Sequence, residues 1–238
     1  MTFTVLAVCT GNICRSPVME LLLRAQCDSS ITVSSAGTSG LPSWPMSQPM
    51  AALLARDGQD PHAFASQRLS PTLLLGAQLI LTATAQHRTQ VLEMEPLALR
   101  RCFTLREFVR LLGGQQSQAD GAQAGRAWPG LAASTPARAS SGHTSVTDAA
   151  RMPDVVGMTD AARMPGTVGT TDAERLALLV AQAVANRRFN TPGPAGFSDD
   201  IDDPYRRGDQ AYAQAYAQIV DQVSQLVHAL RASSANFR

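Results

Sequence analysis

Residues 3–8, Phe-Thr-Val-Leu-Ala-Val, form a short apolar run rich in β-formers. The run stops at Cys9, passes through polar Thr10, Gly11 and Asn12, and restarts as a helical pattern at Ser16-Pro17. Serine near a cap and proline in a first turn are ordinary helix starts. Val18, Leu21, Leu22 and Ala25 are the predicted buried face of that helix. A continuously apolar strand feeding a helix through a tight polar turn is the opening unit of a sheet covered on both faces, which narrows the fold before any other residue is considered.

The same alternation continues along the chain. Ile31–Ser35 reads as a second strand, and Met50, Leu53 and Leu54 belong to a helix ending near Asp57-Gly58. Gln78–Thr82 reads as a third strand, followed by a short helix through Val91. Arg101–Thr104 reads as a fourth strand and Leu105–Leu112 as the helix after it. Strands alternating with helices predict an α/β fold: a single domain with a four-stranded parallel sheet and helices on both faces. Near the other end, Gly208–Arg231 carries Tyr212, Tyr216, Ile219, Val220, Val223, Leu226, Val227 and Leu230 at helical spacing, a face expected to pack on the sheet.

Between these parts the composition shifts. From Gly113 to about Thr170 Gly, Ser, Ala, Gln, Thr and Pro dominate, and a 12-residue unit occurs twice, at Thr147–Met158 and Thr159–Thr170. A third start at Thr171 continues as a helix instead, with Thr171 and Glu174 placed as a capping box and Leu176, Leu179, Val180 and Val184 as its predicted buried face. Pro153 and Pro165 would break the first two copies. The sequence therefore predicts one domain from 1–112 and 171–238, interrupted by a low-complexity, partly repeated insertion over 113–170. That insertion is expected to be disordered, or alternatively to bind a partner.

A formal charge of +1 gives no general attraction for nucleic acid or a membrane surface, so an anion must be bound by a local site. All 20 cationic side chains are arginine, which excludes a lysine-based phosphate loop or Schiff-base chemistry. The four cysteines, Cys9, Cys14, Cys27 and Cys102, are too few and too scattered for a disulfide scaffold, and none has zinc-site spacing with histidine. No signal peptide or membrane span is expected, and the protein is expected to be cytoplasmic, with reduced thiols and no metal or other cofactor.

The turn after the first strand carries the chemistry. Cys9-Thr10-Gly11-Asn12-Ile13-Cys14-Arg15-Ser16 places cysteine, five residues, then arginine and serine between a strand and a helix. In that context successive main-chain N–H groups turn inward and the helix start adds positive potential, a nest for a phosphate dianion. A positive setting favours the thiolate, so Cys9 at the base of the nest is a candidate nucleophile. Arg15 offers a planar fork for two phosphoryl oxygens, and Ser16 a hydrogen bond to the sulfur. Gly11 permits close approach or positive φ, while Asn12 tolerates the left-handed region and carries an amide that can brace the loop.

Expelling an oxygen leaving group from phosphorus is eased by a proton, so a general acid is expected. Ser198–Tyr205, reading Ser-Asp-Asp-Ile-Asp-Asp-Pro-Tyr, supplies four aspartates before the last helix, with Pro204 shaping the loop after Asp203.

VCTGNICRSP at Val8–Pro17, DDPY at Asp202–Tyr205 and the Ser34–Thr38 stretch together resemble the low-molecular-weight protein tyrosine phosphatases over about residues 3–112 and 171–230. The resemblance implies hydrolysis of phosphotyrosine through a cysteinyl-phosphate, with Cys9 as nucleophile, Arg15 as phosphate binder and Asp203 as general acid. Thr10, Gly11, Asn12, Ile13, Cys14 and Ser16 would line the phosphate site, and Asn12, Ser16 and Ser35 would support the loop. Trp44 and Tyr205 would wall a slot for the substrate ring, and oxidation would join Cys14 reversibly to Cys9. The implied partner is a phosphotyrosine-bearing protein such as a bacterial tyrosine kinase, with the enzyme a monomer or weak dimer. Arg206 stands where many relatives carry a second tyrosine, and together with Arg207 points to acidic substrates. Arsenate reductase, which shares this loop and would here use an external thiol, and a non-catalytic phosphate-binding module are the competing readings.

Overall fold

The computed structural model describes residues 2–113, 171–187 and 198–233. The repeats at 147–170, and the reading of 113–170 as a disordered insertion, lie outside the described residues save for Gly113.

Four strands, β1 (Phe3–Cys9), β2 (Ile31–Gly37), β3 (Leu79–Thr82) and β4 (Cys102–Thr104), form a parallel sheet in the order β2-β1-β3-β4. Val5 lies in register with Val33 on one side and Leu79 on the other. The helices are α1 (Arg15–Gln26), α2 (Gln48–Arg56), α3 (Pro71–Gly76), α4 (Ala85–Met94), α5 (Leu105–Leu111), α6 (Asp172–Arg187) and α7 (Asp209–Ala232), with a 3-10 turn at Pro96–Arg100.

Alternate side chains of the strands serve two cores, as their period of two requires. Leu6, Val8, Ala36, Ile80 and Cys102 pack with Leu74, Val91 and Ala98 from α3, α4 and the 3-10 turn. Val5, Ile31, Val33 and Leu79 face Leu23, Leu176, Leu226 and Leu230 from α1, α6 and α7 around a small void. Both faces are covered, which is why β1 is apolar from Val5 to Cys9 rather than alternating.

Several elements depart from the sequence reading. The first helix begins at Arg15, and Ser16 caps nothing; its hydroxyl is committed to the turn below. Its buried face runs through Val18, Met19, Leu22 and Leu23, leaving Leu21 half-buried and Ala25 exposed. In α6 the Thr171–Glu174 capping box forms, with N···O distances of 2.9 and 3.3 Å. Ala173, Leu176, Leu179 and Ala183 are buried there, while Val180 and Val184 are only half-buried. In α7 Val220 is likewise half-buried, and Ala215 and Gln222 join the covered face. The helix α3, started by Ser70 and Pro71, is too short to show a period and has no sequence signature beyond Ser-Pro.

The turns leaving β1 and β3 lie at the same sheet edge. Strand order changes direction between these two strands, which opens the crevice where parallel α/β sheets bind ligands.

Candidate phosphate-binding site

The Cys9–Arg15 turn is held from beneath by a closed set of hydrogen bonds. Asn12 adopts φ 54°, the left-handed conformation expected of it, and its side chain is fully buried. Its amide donates to Ser16 Oγ at 2.9 Å and Ser35 Oγ at 2.8 Å, while its Oδ1 accepts from the main-chain N–H of Gln67 at 2.8 Å. The Ser35 hydroxyl in turn donates to the buried carboxylate of Glu20, which also receives Arg24. Burial raises the Glu20 carboxyl above its ordinary range, and the bonds from Ser35 and Arg24 oppose that rise.

Donor accounting then settles Ser16. Its oxygen accepts from Asn12, and its one proton is free for Cys9 Sγ, 3.0 Å away and buried. Positive φ falls on Asn12 and not on Gly11, where a Cβ would meet only the Ile13 side chain at ordinary distance. The close approach is made by Gly37 instead. A Cβ there would lie 2.6 Å from the Thr10 carbonyl oxygen and 2.9 Å from Asn12 N, so the end of β2 lies directly against the turn.

Arg15 is buried, with a side chain that reaches back across the crevice. Nη1 donates to the Ile201 carbonyl at 2.9 Å, and Nη2 lies 3.2 Å from Thr10 Oγ1 and 2.9 Å from Asp203 Oδ2. Its Nε is buried without a hydrogen-bond partner among the described residues, an open donor at the site.

Asp203 comes from a sequence distance of 188 residues because the acidic loop is stapled to the end of β3. Ile201 N–H donates to the Ala83 carbonyl at 2.8 Å, Asp200 accepts from Ala85 N–H at 2.7 Å, and Asp199 takes two bonds from Arg110, at 2.7 and 3.2 Å. Two of the four aspartates are therefore anchors. The Asp203 side chain remains 47% exposed, with Oδ1 accepting from Tyr205 N–H.

Around the mouth, Ser47 N–H donates to the Ile13 carbonyl at 2.8 Å, tying the segment before α2 to the turn. Trp44 on that segment pairs its main chain with Ser66 and exposes its ring, as Tyr205 does. The guanidinium of Arg206, at φ 60°, lies over the Tyr205 ring at 5.2 Å. Cys14 is a buried free thiol 3.1 Å from Ser47 Oγ, and burial pushes it up to about 11.

The structure thus brings together Cys9, Thr10, Asn12, Arg15, Ser16, Ser35 and Asp203. Glu20, Gly37, Gln67 and His87 complete the arrangement and were not singled out by sequence reasoning. Only Glu20 left a trace, a charge four residues after Ser16 on a helix turned towards the core.

The family model described as low molecular weight phosphotyrosine protein phosphatase matches residues 4–120. The chain is 34% identical over 107 residues to the probable low molecular weight protein-tyrosine-phosphatase EpsP of Ralstonia nicotianae, covering 45% of this chain and 73% of that protein. The chain belongs to the low molecular weight phosphotyrosine protein phosphatase family. It is also 37% identical over 93 residues to the low molecular weight protein-tyrosine-phosphatase Etp of Escherichia coli K12, a match that spans 39% of this chain and 62% of Etp. Among solved structures, the YwlE arginine phosphatase from Geobacillus stearothermophilus superposes with a TM-score of 0.59 at 18% identity, over 99% of this chain and 97% of that one. At that identity the likeness concerns the fold. The family's opening motif is the Val8–Pro17 segment, and its strand-turn-helix setting is the one described above.

Proposed function

We propose that this family member hydrolyses phosphotyrosine in proteins through a phosphocysteine intermediate. The observation that carries the proposal is the convergence on one crevice of Cys9 Sγ, bonded to Ser16, with the Arg15–Asp203 pair at 2.9 Å. A phosphoryl group seated in the turn takes its oxygens to main-chain N–H groups and to the Nε and Nη2 donors of Arg15. Arg15 then shares its charge with the phosphoryl oxygens, and Asp203 is released towards the leaving oxygen. Asp203, open to solvent, takes up a proton as it gives up Arg15; Cys9 then attacks phosphorus as the thiolate, the P–O bond to tyrosine breaks, and Asp203 passes that proton to the leaving oxygen. In the second step Asp203 takes a proton from water as its oxygen attacks phosphorus. The P–S bond breaks, and the Ser16 hydroxyl stabilises the departing thiolate. Exposed Trp44 and Tyr205 offer flat apolar faces for the substrate ring.

Arsenate reduction by an internal thiol relay finds no support, since Cys102 is fully buried in β4 and pushed up to about 12. The non-catalytic reading is disfavoured because nucleophile, phosphate binder and acid all converge. The protein is proposed to act in the cytoplasm on a phosphotyrosine protein such as a bacterial tyrosine kinase.

Para-nitrophenyl phosphate turnover tests the proposal. Cys9→Ser is expected to abolish turnover while still binding inorganic phosphate, and Asp203→Ala to lower kcat by about 10² or more, the usual contribution of a general acid. Turnover persisting in Cys9→Ser would sink the mechanism. Phosphotyrosyl and phosphoarginyl peptides assayed side by side decide the substrate class, and faster release from phosphoarginine would overturn the tyrosine assignment.

A further inference from the structure

The proposed hydrolytic step makes no use of one buried histidine beside it. His87 lies in the first turn of α4, and its ring sits between two hydroxyls: Nδ1 is 2.6 Å from Thr84 Oγ1 and Nε2 is 2.9 Å from Thr10 Oγ1. Thr10 is the residue after Cys9, and its Oγ1 also receives Arg15 Nη2 at 3.2 Å. A single chain therefore runs from Asp203 through Arg15, Thr10 and His87 to Thr84, the residue that caps α4.

One assignment of donors and acceptors runs the same way along the whole chain. Arg15 can only donate, so Thr10 Oγ1 accepts on that side. Thr10 has one proton to place, and an unprotonated Nε2 takes it. Nδ1–H then donates to Thr84, and every dipole points the same way, the arrangement in which linked hydrogen bonds reinforce one another. The ring stays neutral to support this. Burial, and after it the Arg15 charge, lower His87 to about 4 against the smaller opposing effects of Asp203 and Asp200.

We infer that His87 is a positioning residue for the phosphate-binding arginine: by accepting the Thr10 proton it turns the Thr10 oxygen towards Arg15 Nη2 and holds the guanidinium in the plane that an incoming phosphoryl group meets. The inference rests on the phosphatase reading of the site, but its test does not depend on turnover. Arg15 has two fixed anchors, the Ile201 carbonyl and Thr10, besides the exposed Asp203 carboxylate that must move during the reaction. Loss of the Thr10 anchor leaves one.

Binding of inorganic phosphate, measured by calorimetry in a Cys9→Ser background, is the readout. Adding His87→Phe is expected to weaken phosphate affinity about three- to tenfold, the span of one net hydrogen bond. Thr10→Val is expected to do the same, and the two together no more than either alone, because they break one chain. His87→Gln, which keeps an acceptor at similar reach, is expected to recover most of the loss. Phosphate affinity unchanged by Thr10→Val, or losses that multiply in the double variant, would overturn the inference. Should His87→Phe fail to fold, His87→Leu takes its place in the same comparison with Thr10→Val and the double variant. A Cys9→Ser protein that binds no phosphate overturns this inference together with the phosphatase reading. Phosphate binding that depends on His87, in a protein that hydrolyses no phosphate ester, leaves the inference standing and removes only the catalytic assignment.

Discussion

Cys9 and Arg15 are legible in sequence because their spacing and flanking elements carry the chemistry, but the residue that sets the shape of their turn is Gly37. It lies 28 positions from Cys9 in the chain and level with it across the sheet, where β1 and β2 run in register. Its missing side chain lets the Thr10–Asn12 main chain sit where a Cβ would collide with three backbone atoms at 2.6–2.9 Å. Backbone cannot rotate away as a side chain can. Gly37→Ala is therefore expected to cost about 1–3 kcal/mol and to lower kcat/KM with Cys9 and Asp203 intact. Urea unfolding and para-nitrophenyl phosphate kinetics on the same preparation check this, and a variant unchanged in both would show that the turn has slack. The Ser34–Thr38 stretch marks Gly37 by resemblance, but no local period or spacing gives its role. Its role exists only once β2 is beside β1.

Among the elements, α6 shows how a helix far along the chain is fastened to the sheet. At its start Asp172 accepts from Asp28 N–H and Ala173 N–H donates to Ser30 Oγ, holding it to the turn before β2. At its end the half-buried Arg187 donates to Glu107 at 3.0 Å and to the carbonyls of Leu99 and Cys102 at 2.9 and 2.8 Å, with its guanidinium 3.9 Å from the Phe103 ring centroid. One side chain thus joins α6, β4, α5 and the 3-10 turn. Arg187→Met keeps the apolar stem and removes these donors. It is expected to cost about 2–4 kcal/mol, more than a surface ion pair, because the partners are left in a partly dry setting. A urea midpoint that falls at constant m-value confirms the effect, and a shift within experimental error would mean that apolar burial alone seats the helix. Sequence periodicity identified α6 and its capping box but placed the buried face slightly off line, because it favours valine over alanine. The covered line holds Ala173 and Ala183 on a helix packed against α5 and α7.

Across the whole molecule, both halves of the site come from parts of the chain separated by the 113–170 segment. The described residues on either side of it contain the sheet, the acidic-loop anchors Ala83, Ala85 and Arg110, and Cys9, Arg15 and Asp203 of the crevice. Deleting residues 115–168 is accordingly expected to leave kcat/KM on para-nitrophenyl phosphate within a fewfold of the full chain. Loss of turnover from a deletion variant that still folds, judged by circular dichroism and a cooperative melt, would assign the segment a part in the chemistry.

The sequence by itself determined the strand-turn-helix at the start and the parallel α/β class, and it named the candidate nucleophile, the arginine and, through the resemblance, Asp203 as candidate acid. These are local: a period, a cap or a spacing of a few residues expresses them. Tertiary structure alone decided which of four aspartates anchors and which one faces Arg15. It also decided that Gly37 rather than Gly11 makes room for the turn, and that Glu20, Gln67 and His87 complete its hydrogen bonds. Those outcomes depend on main-chain groups and buried side chains finding partners 15 to 188 positions away. A buried polar group must be satisfied by whatever the fold brings next to it, and neighbours in space leave no period in the chain.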